Sequence, residues 1–106
     1  MRFNVYSVFD VAAGAYLPPF FVHAEPLAVR MFADSCVSAD HAFAKHAEDY
    51  TLFCLGTFED TTAIFDHHAP RKVMNGLEAV SMSRKVDGAQ LALIDDELGD
   101  TESEST

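Results

Sequence analysis

The chain has 106 residues, 49% apolar and 23% charged, which suits one modest core and is too short for two ordinary domains. A formal net charge of −10 argues against a protein that coats nucleic acid by neutralising phosphates, because that needs clustered Lys and Arg. No apolar run approaches a membrane span, and MRFNVYSVFD lacks the basic-then-apolar layout of a signal peptide, so a cytosolic protein with no membrane contact is expected.

Residues 2–10 are rich in β-branched and aromatic side chains and predict a strand. Phe3, Val5 and Phe9 share one face of it, and Tyr6 and Val8 the other. After a loop at Ala12-Ala13-Gly14, Tyr16 to His23 forms a second extended segment, paired antiparallel with the first. Pro18 and Pro19 lack the N–H that a ladder needs, so this segment must be an edge strand or a kinked lead into the next helix. Phe20 and Phe21 point to opposite faces if the chain is extended there, which puts at least one of them in the core. Tyr16 is the better candidate for an exposed contact.

Glu25 and Pro26 signal a helix start, and Leu27, Ala28, Met31, Phe32 and Ser35-Cys36 recur at helical spacing. This helix should end near Ser38-Ala39-Asp40, with a polar connection from His41 to Asp49 and a short helical turn around Ala42-Phe43-Ala44. Tyr50 to Phe58 is the strongest strand, apolar on both faces around Leu52–Leu55 as in a covered central strand. Gly56 within it predicts a bulge or a close backbone approach. Glu59 to Thr62 is a turn, and Ala63 to Asp66 runs back as the hairpin partner. Asn75 is placed to cap a short helix through Leu77, Val80 and Ser81, broken by Asp87-Gly88; Gln90 to Ile94 reads equally as a strand or a helical turn.

The expected fold is therefore α+β, a small, mainly antiparallel sheet in ββαββ order with one packed helix. A C-terminal helix or strand and a disordered acidic tail follow. Residues 1–94 make one domain, and residues 95–106 a tail holding six acids and no Lys or Arg.

Little in the chain suggests catalysis. No GxSxG, HExxH or glycine-rich phosphate loop occurs, and the paired carboxylates Asp95-Asp96-Glu97 lie in the tail, so an enzyme is not expected. His67 and His68 are adjacent on a predicted strand, and His41 and His46 are five apart; neither step puts two ligands on one side, so surface histidines and no metal or other cofactor are expected. Cys36 and Cys54, 18 residues apart, match no zinc or CxxC spacing and read as reduced core residues.

Two features remain. Most of the twelve Phe and Tyr side chains must fill the core, because a four-stranded sheet with one helix needs large fillers, and a minority on an exposed face could stack on unpaired bases. From residue 71 to 85, Arg71, Lys72, Arg84 and Lys85 face one acid, Glu78, and form either a solvated face or a phosphate contact. Tyr16, Phe20, Phe21, Arg71, Lys72, Arg84 and Lys85 are therefore the candidate residues for binding nucleic acid or a partner. Short sheet edges make a homodimer plausible.

Taken together, FNVYSVFD, AYLPPFF, AVRMFAD and FAKHAEDYTLFCLGTFED resemble the small nonstructural protein of gokushoviruses, single-stranded DNA phages of the microvirus family. The resemblance spans about residues 2–66. It departs from the family at Ala47, where proline is frequent, and near Thr62, where a turn glycine is frequent. It implies an early, non-virion phage protein in the host bacterial cytoplasm, acting where replication switches to single-stranded DNA synthesis and packaging. It carries over no catalytic residues. The leading expectation is a non-enzymatic accessory protein that binds phage or host replication or packaging proteins; the alternative is a single-stranded DNA-binding protein using sheet aromatics and the basic stretch at 71–85.

Overall fold

The computed structural model describes residues 1–84. The chain runs β1 (Arg2–Asp10), β2 (Ala15–Tyr16), β3 (Phe20–Val22), α1 (Glu25–Val37), α2 (Ala42–Lys45), a 3-10 turn (Ala47–Asp49), β4 (Tyr50–Glu59) and β5 (Ile64–Asn75). A further helix, α3, begins at residue 76 and continues through residue 84. The architecture is α+β, a curled antiparallel sheet with helices. Its order is β2-β1-β4-β5, and β3 pairs with β1 beside β2. Lys85, Gln90–Ile94, the expected domain boundary at 94 and the acidic tail lie outside the described residues.

The expected ββαββ order is present, and two strands differ from their expected bounds. One is the second strand, split in two by its prolines. Phe9 faces Tyr16 and Tyr6 faces Phe20, so Ser7 and Val8 of β1 stand opposite Leu17, Pro18 and Pro19. One extra residue is absorbed there as a bulge, where proline's missing N–H breaks no ladder bond. Before the prolines, the Leu17 amide still donates to the Val8 carbonyl at 2.8 Å.

The other is β5, which runs to Asn75 and not merely to Asp66. Its register against β4 shifts twice. Phe53 pairs with Lys72 while Leu52 pairs with Met74, and Cys54 pairs with Arg71 while Gly56 pairs with His67. The second shift sets His68, Ala69 and Pro70 against the single residue Leu55, so Pro70 again occupies a bulge. Gly56 makes this possible: its φ is +152°, and a Cβ there would overlap the Asp66 carbonyl oxygen. Both properties expected of Gly56 are present.

The helices cover one face of the sheet. Tyr6, Val8, Val22, Leu52 and Cys54 project from that face into a core completed by Ala28, Phe32, Ala33 and Cys36 of α1 and Ala79 of α3. A buried side chain of Phe or Leu size contributes about 1.5–3 kcal/mol, so these few contacts carry most of the fold's hydrophobic stabilisation. Only part of the expected α1 stripe is inward. Leu27 and Met31 are exposed, and the buried row is Ala28, Phe32 and Cys36 with Ala33 beside it. Ala28, Phe32 and Cys36 form one edge of the expected stripe and face the sheet, while Leu27 and Met31 form its other edge and face solvent. Phe43 of α2 extends the core, its ring 4.3 Å from Tyr50 and 5.8 Å from Phe32.

The cap expected at Asn75 is present and reciprocal. Its side-chain oxygen accepts from the Glu78 amide, and Glu78 accepts from the Asn75 amide, each at 2.8 Å. This capping box satisfies two otherwise orphaned donors at the start of α3. His41 caps α2 similarly, its Nδ1 accepting from the Phe43 amide at 3.1 Å.

In the β4–β5 turn, Ala63 has a φ of +61°, a left-handed conformation that strains a residue with a Cβ. Ala63→Gly should relieve that strain and, after the added flexibility of the unfolded chain, raise stability by about 0.5–1 kcal/mol. Urea unfolding of the two proteins measures it; an unchanged or lower midpoint would show that the turn is not strained at this residue.

Candidate binding face

Cross-strand partners share a side of a sheet, so the register assigns every strand residue to a face. Opposite the helices lie Phe3, Val5, Ser7 and Phe9 of β1; Tyr16 and Phe21 of β2 and β3; Thr51, Phe53, Gly56 and Phe58 of β4; and Phe65, His67, Lys72 and Asn75 of β5. Seven of these are aromatic. The partition expected for β1 holds: Phe3, Val5 and Phe9 are on this side, and Tyr6 and Val8 on the other.

The rings gather into two groups. Phe21, Phe58 and Phe65 form one, with centroids 5.4 Å apart for Phe21–Phe58, 4.7 Å for Phe58–Phe65 and 5.9 Å for Phe21–Phe65. Phe21 and Phe65 stand on β3 and β5 with two strands between them, about 14 Å in a flat sheet. The sheet's curl brings them together. Phe9, Tyr16 and Phe53 form the second group, at 4.9 Å and 5.6 Å. The ring of His23, just beyond β3, stacks on Phe3 at 4.3 Å.

Beneath the rings, Val5 and Ser7 are only 5% and 1% exposed, although no helix among the described residues covers this face. Ser7, the buried polar residue of the core, donates its hydroxyl to the Leu17 carbonyl. Above this floor, Phe21 and Tyr16 remain 42% and 43% exposed and Phe65 57%. Exposed rings gathered on one sheet face in this way mark a candidate contact surface.

The charge distribution separates the faces further. Asp10, Glu59 and Asp66, the carboxylates within the strands, all occupy register positions on the helix side. In a chain of formal charge −10, the aromatic face holds no strand carboxylate, one Lys and one His.

The candidate residues from the sequence are thus divided. Tyr16, Phe21 and Lys72 share the aromatic face. Phe20 turns inward and packs against the core, 6.0 Å from Tyr6. Arg71 is on the helix side, and Arg84 lines a cleft with Cys36, Val37, Ala44, Val80 and Ser83. The basic stretch is therefore no single patch. Arg71 pairs with Glu25 at 2.7 Å, and Lys72 lies 3.7 Å from Glu78. Sequence reasoning did not single out Phe53, Phe58 and Phe65 as surface residues. The missing signal was the bulge at Leu55: Phe53 and Phe58 are an odd number of residues apart and share a face only because the register against β1 shifts between them.

On the helix side, Glu25 ties three elements together. Its Oε1 accepts from the Tyr6 hydroxyl at 2.9 Å and from Arg71 at 2.7 Å, while Asn4 donates to the Tyr6 oxygen at 3.3 Å. Burial, and then the bond to Glu25, raises the Tyr6 pKa. Arg71, and next the Tyr6 hydroxyl, hold the Glu25 carboxyl below its ordinary range against an opposing desolvation effect. His46 comes together not with His41 but with Glu48 and Asp49, their ligand atoms within 4.8 Å on the exposed 3-10 turn; such surface groupings are common without an ion.

These features define a small α+β protein with helices on one side of a curled sheet and an open aromatic face on the other. The chain belongs to the phage ORF5 protein family, whose model matches residues 3–79 and thus runs past residue 66 through β5 into α3. No curated protein and no solved structure matches it. Among the described residues, no helix is long and apolar enough to cross a membrane.

The Glu25 contacts make stability depend on pH. A carboxyl with a depressed folded pKa stabilises above its unfolded pKa, and that contribution is lost as pH falls through the folded value. The melting temperature of the parent should exceed that of Glu25→Gln above about pH 5, and the gap should close toward about pH 3. A gap that stays constant across this range would mean that the charge on Glu25 is immaterial.

Proposed function

We propose that this phage protein is a non-enzymatic accessory factor that acts by binding, with the aromatic sheet face as its contact surface. The observation that carries this reading is a face of seven aromatic residues without a strand carboxylate, in an otherwise acidic chain. Membership of a phage family supports it, and the resemblance of residues 2–66 to the gokushovirus nonstructural protein narrows it. The setting we infer is the host bacterial cytoplasm, at the switch to single-stranded DNA synthesis and packaging. The partners are phage or host replication or packaging proteins. The net charge of −10 disfavours tight contact with a phosphate backbone, so a protein is the preferred partner.

A second reading takes single-stranded DNA as the ligand of the same face. It is favoured by the exposed rings of Tyr16, Phe21 and Phe65, which have no strand acid among them and have Lys72 on their side of the sheet. Stacking on such rings tolerates any sequence and contributes about 1–3 kcal/mol per base.

Titration of fluorescent oligo-dT with the full chain at low and moderate salt separates the two. The preferred reading expects no binding, together with capture of a phage or host replication or packaging protein that Phe21→Ala and Phe65→Ala abolish. Tight oligonucleotide binding that weakens steeply between about 50 and 200 mM salt would overturn it in favour of DNA. Capture unaffected by both substitutions would remove the aromatic face from either mechanism.

A further inference from the structure

We propose that Cys54 is a nucleophilic thiol served by His68 as its base, and that it exchanges with low-molecular-weight disulfides. The site lies on the helix side of the sheet, away from the aromatic face. It exists because of the β4–β5 bulge. His68 follows His67 of the aromatic face and so alternates onto the helix side, and the three residues of β5 set against Leu55 leave its ring beside Cys54. The His68 Nε2 is 3.9 Å from the Cys54 Sγ.

The protonation of that imidazole follows from its other nitrogen. His68 Nδ1 is 2.8 Å from the Ala69 carbonyl oxygen, which can only accept, so Nδ1 carries the hydrogen. In the neutral imidazole Nε2 is then the unprotonated nitrogen and faces the thiol as an acceptor. A nucleophile, a base and a group that orients the base are thereby in sequence, the arrangement that activates thiols elsewhere. A cation stands beside them: Arg71 is the cross-strand partner of Cys54, on the same face, anchored by Glu25. Positive charge next to a developing thiolate favours it. The charged or titratable groups facing Cys54 are therefore Tyr6 from β1, His68 and Arg71 from β5, and Glu25 from α1 through its bonds to Tyr6 and Arg71.

The exchange balances without any further oxidant. The Cys54 proton passes to His68 Nε2, and the thiolate attacks one sulfur of the incoming disulfide. That S–S bond breaks as a new one forms to Cys54 Sγ. The departing thiolate takes the proton from His68, so one thiol and one disulfide are present before and after. Cys54 keeps 5% of its surface exposed, beneath an exposed histidine. Cys36 provides the contrast within the same chain. It is 2% exposed, and burial pushes its thiol up to about 11.

The test uses the full chain and the variants C36S, C54S and C36S/H68Q. The reaction with the chromogenic disulfide dithiobis-nitrobenzoate is followed across pH. At neutral pH, C36S should react at least about tenfold faster than C54S, and C36S/H68Q should lose that advantage and the imidazole step in its pH profile. Glutathione disulfide should leave its mixed disulfide on Cys54 and not on Cys36, located by peptide mass mapping. Equal rates for the two cysteines, or a pH profile that H68Q leaves unchanged, would overturn the proposal. In a further variant, C54S/H68Q, Cys36 is the one thiol left and reports on folding. Should that substitution also expose Cys36, the pH profile of C36S decides: an inflection in the imidazole range supports the proposal, and its absence sinks it.

Discussion

One carboxylate holds the molecule's two layers in register. Tyr6 sits at the centre of the sheet with no exposed surface, and its hydroxyl needs a partner there. Glu25, in the first turn of α1, supplies it and is itself held by Arg71 from the edge strand. The helix start is thereby pinned over β1 and β5 together. The ion pair is half-exposed and contributes little by itself, on the order of 1 kcal/mol or less. Its effect is geometric: it places Ala28, Phe32 and Cys36 over Leu52 and Cys54.

That placement decides what is left uncovered. With the helices on one face, the opposite side must protect its own floor. It does so with rings from all five strands, brought into contact by the curl of the sheet. The solution is self-consistent only because the prolines insert an extra residue between Tyr16 and Phe21. An unbroken strand would put residues an odd number apart on opposite sides. The bulge reverses that parity, so both rings join one surface. The Pro-Pro pair is thus a device for aiming side chains, beyond being a barrier to pairing.

The elements with strong local signals were legible in the sequence. α1 announced itself through Glu25-Pro26, α3 through Asn75 and β4 through its continuous apolar run. β5 was legible only as far as Asp66, because Pro70 reads as a stop and two register shifts hide any alternation beyond it. What depends on its later part stayed hidden: the separation of Arg71 from Lys72 onto opposite faces, and the approach of His68 to Cys54. A charge count over residues 71–85 suggests a basic patch; the strand's alternation and the nearby Glu25 and Glu78 dissolve it. Phe20 and Phe21 were correctly foreseen to split, since two adjacent extended residues must, but which faces water depended on the register.

β5 also ends the sheet, and its outer rim from residue 64 to 72 is exposed. A long open rim of this kind invites another strand to add on, and repeated addition ends in insoluble fibres. Here the rim is interrupted midway by Pro70, which offers no donor, and by a local loss of flatness where three residues crowd against one. Asp66, Arg71 and Lys72 then set charges along it. The same irregularities that bend β5 toward its neighbours thus make it, among the described strands, a poor template for edge-to-edge growth.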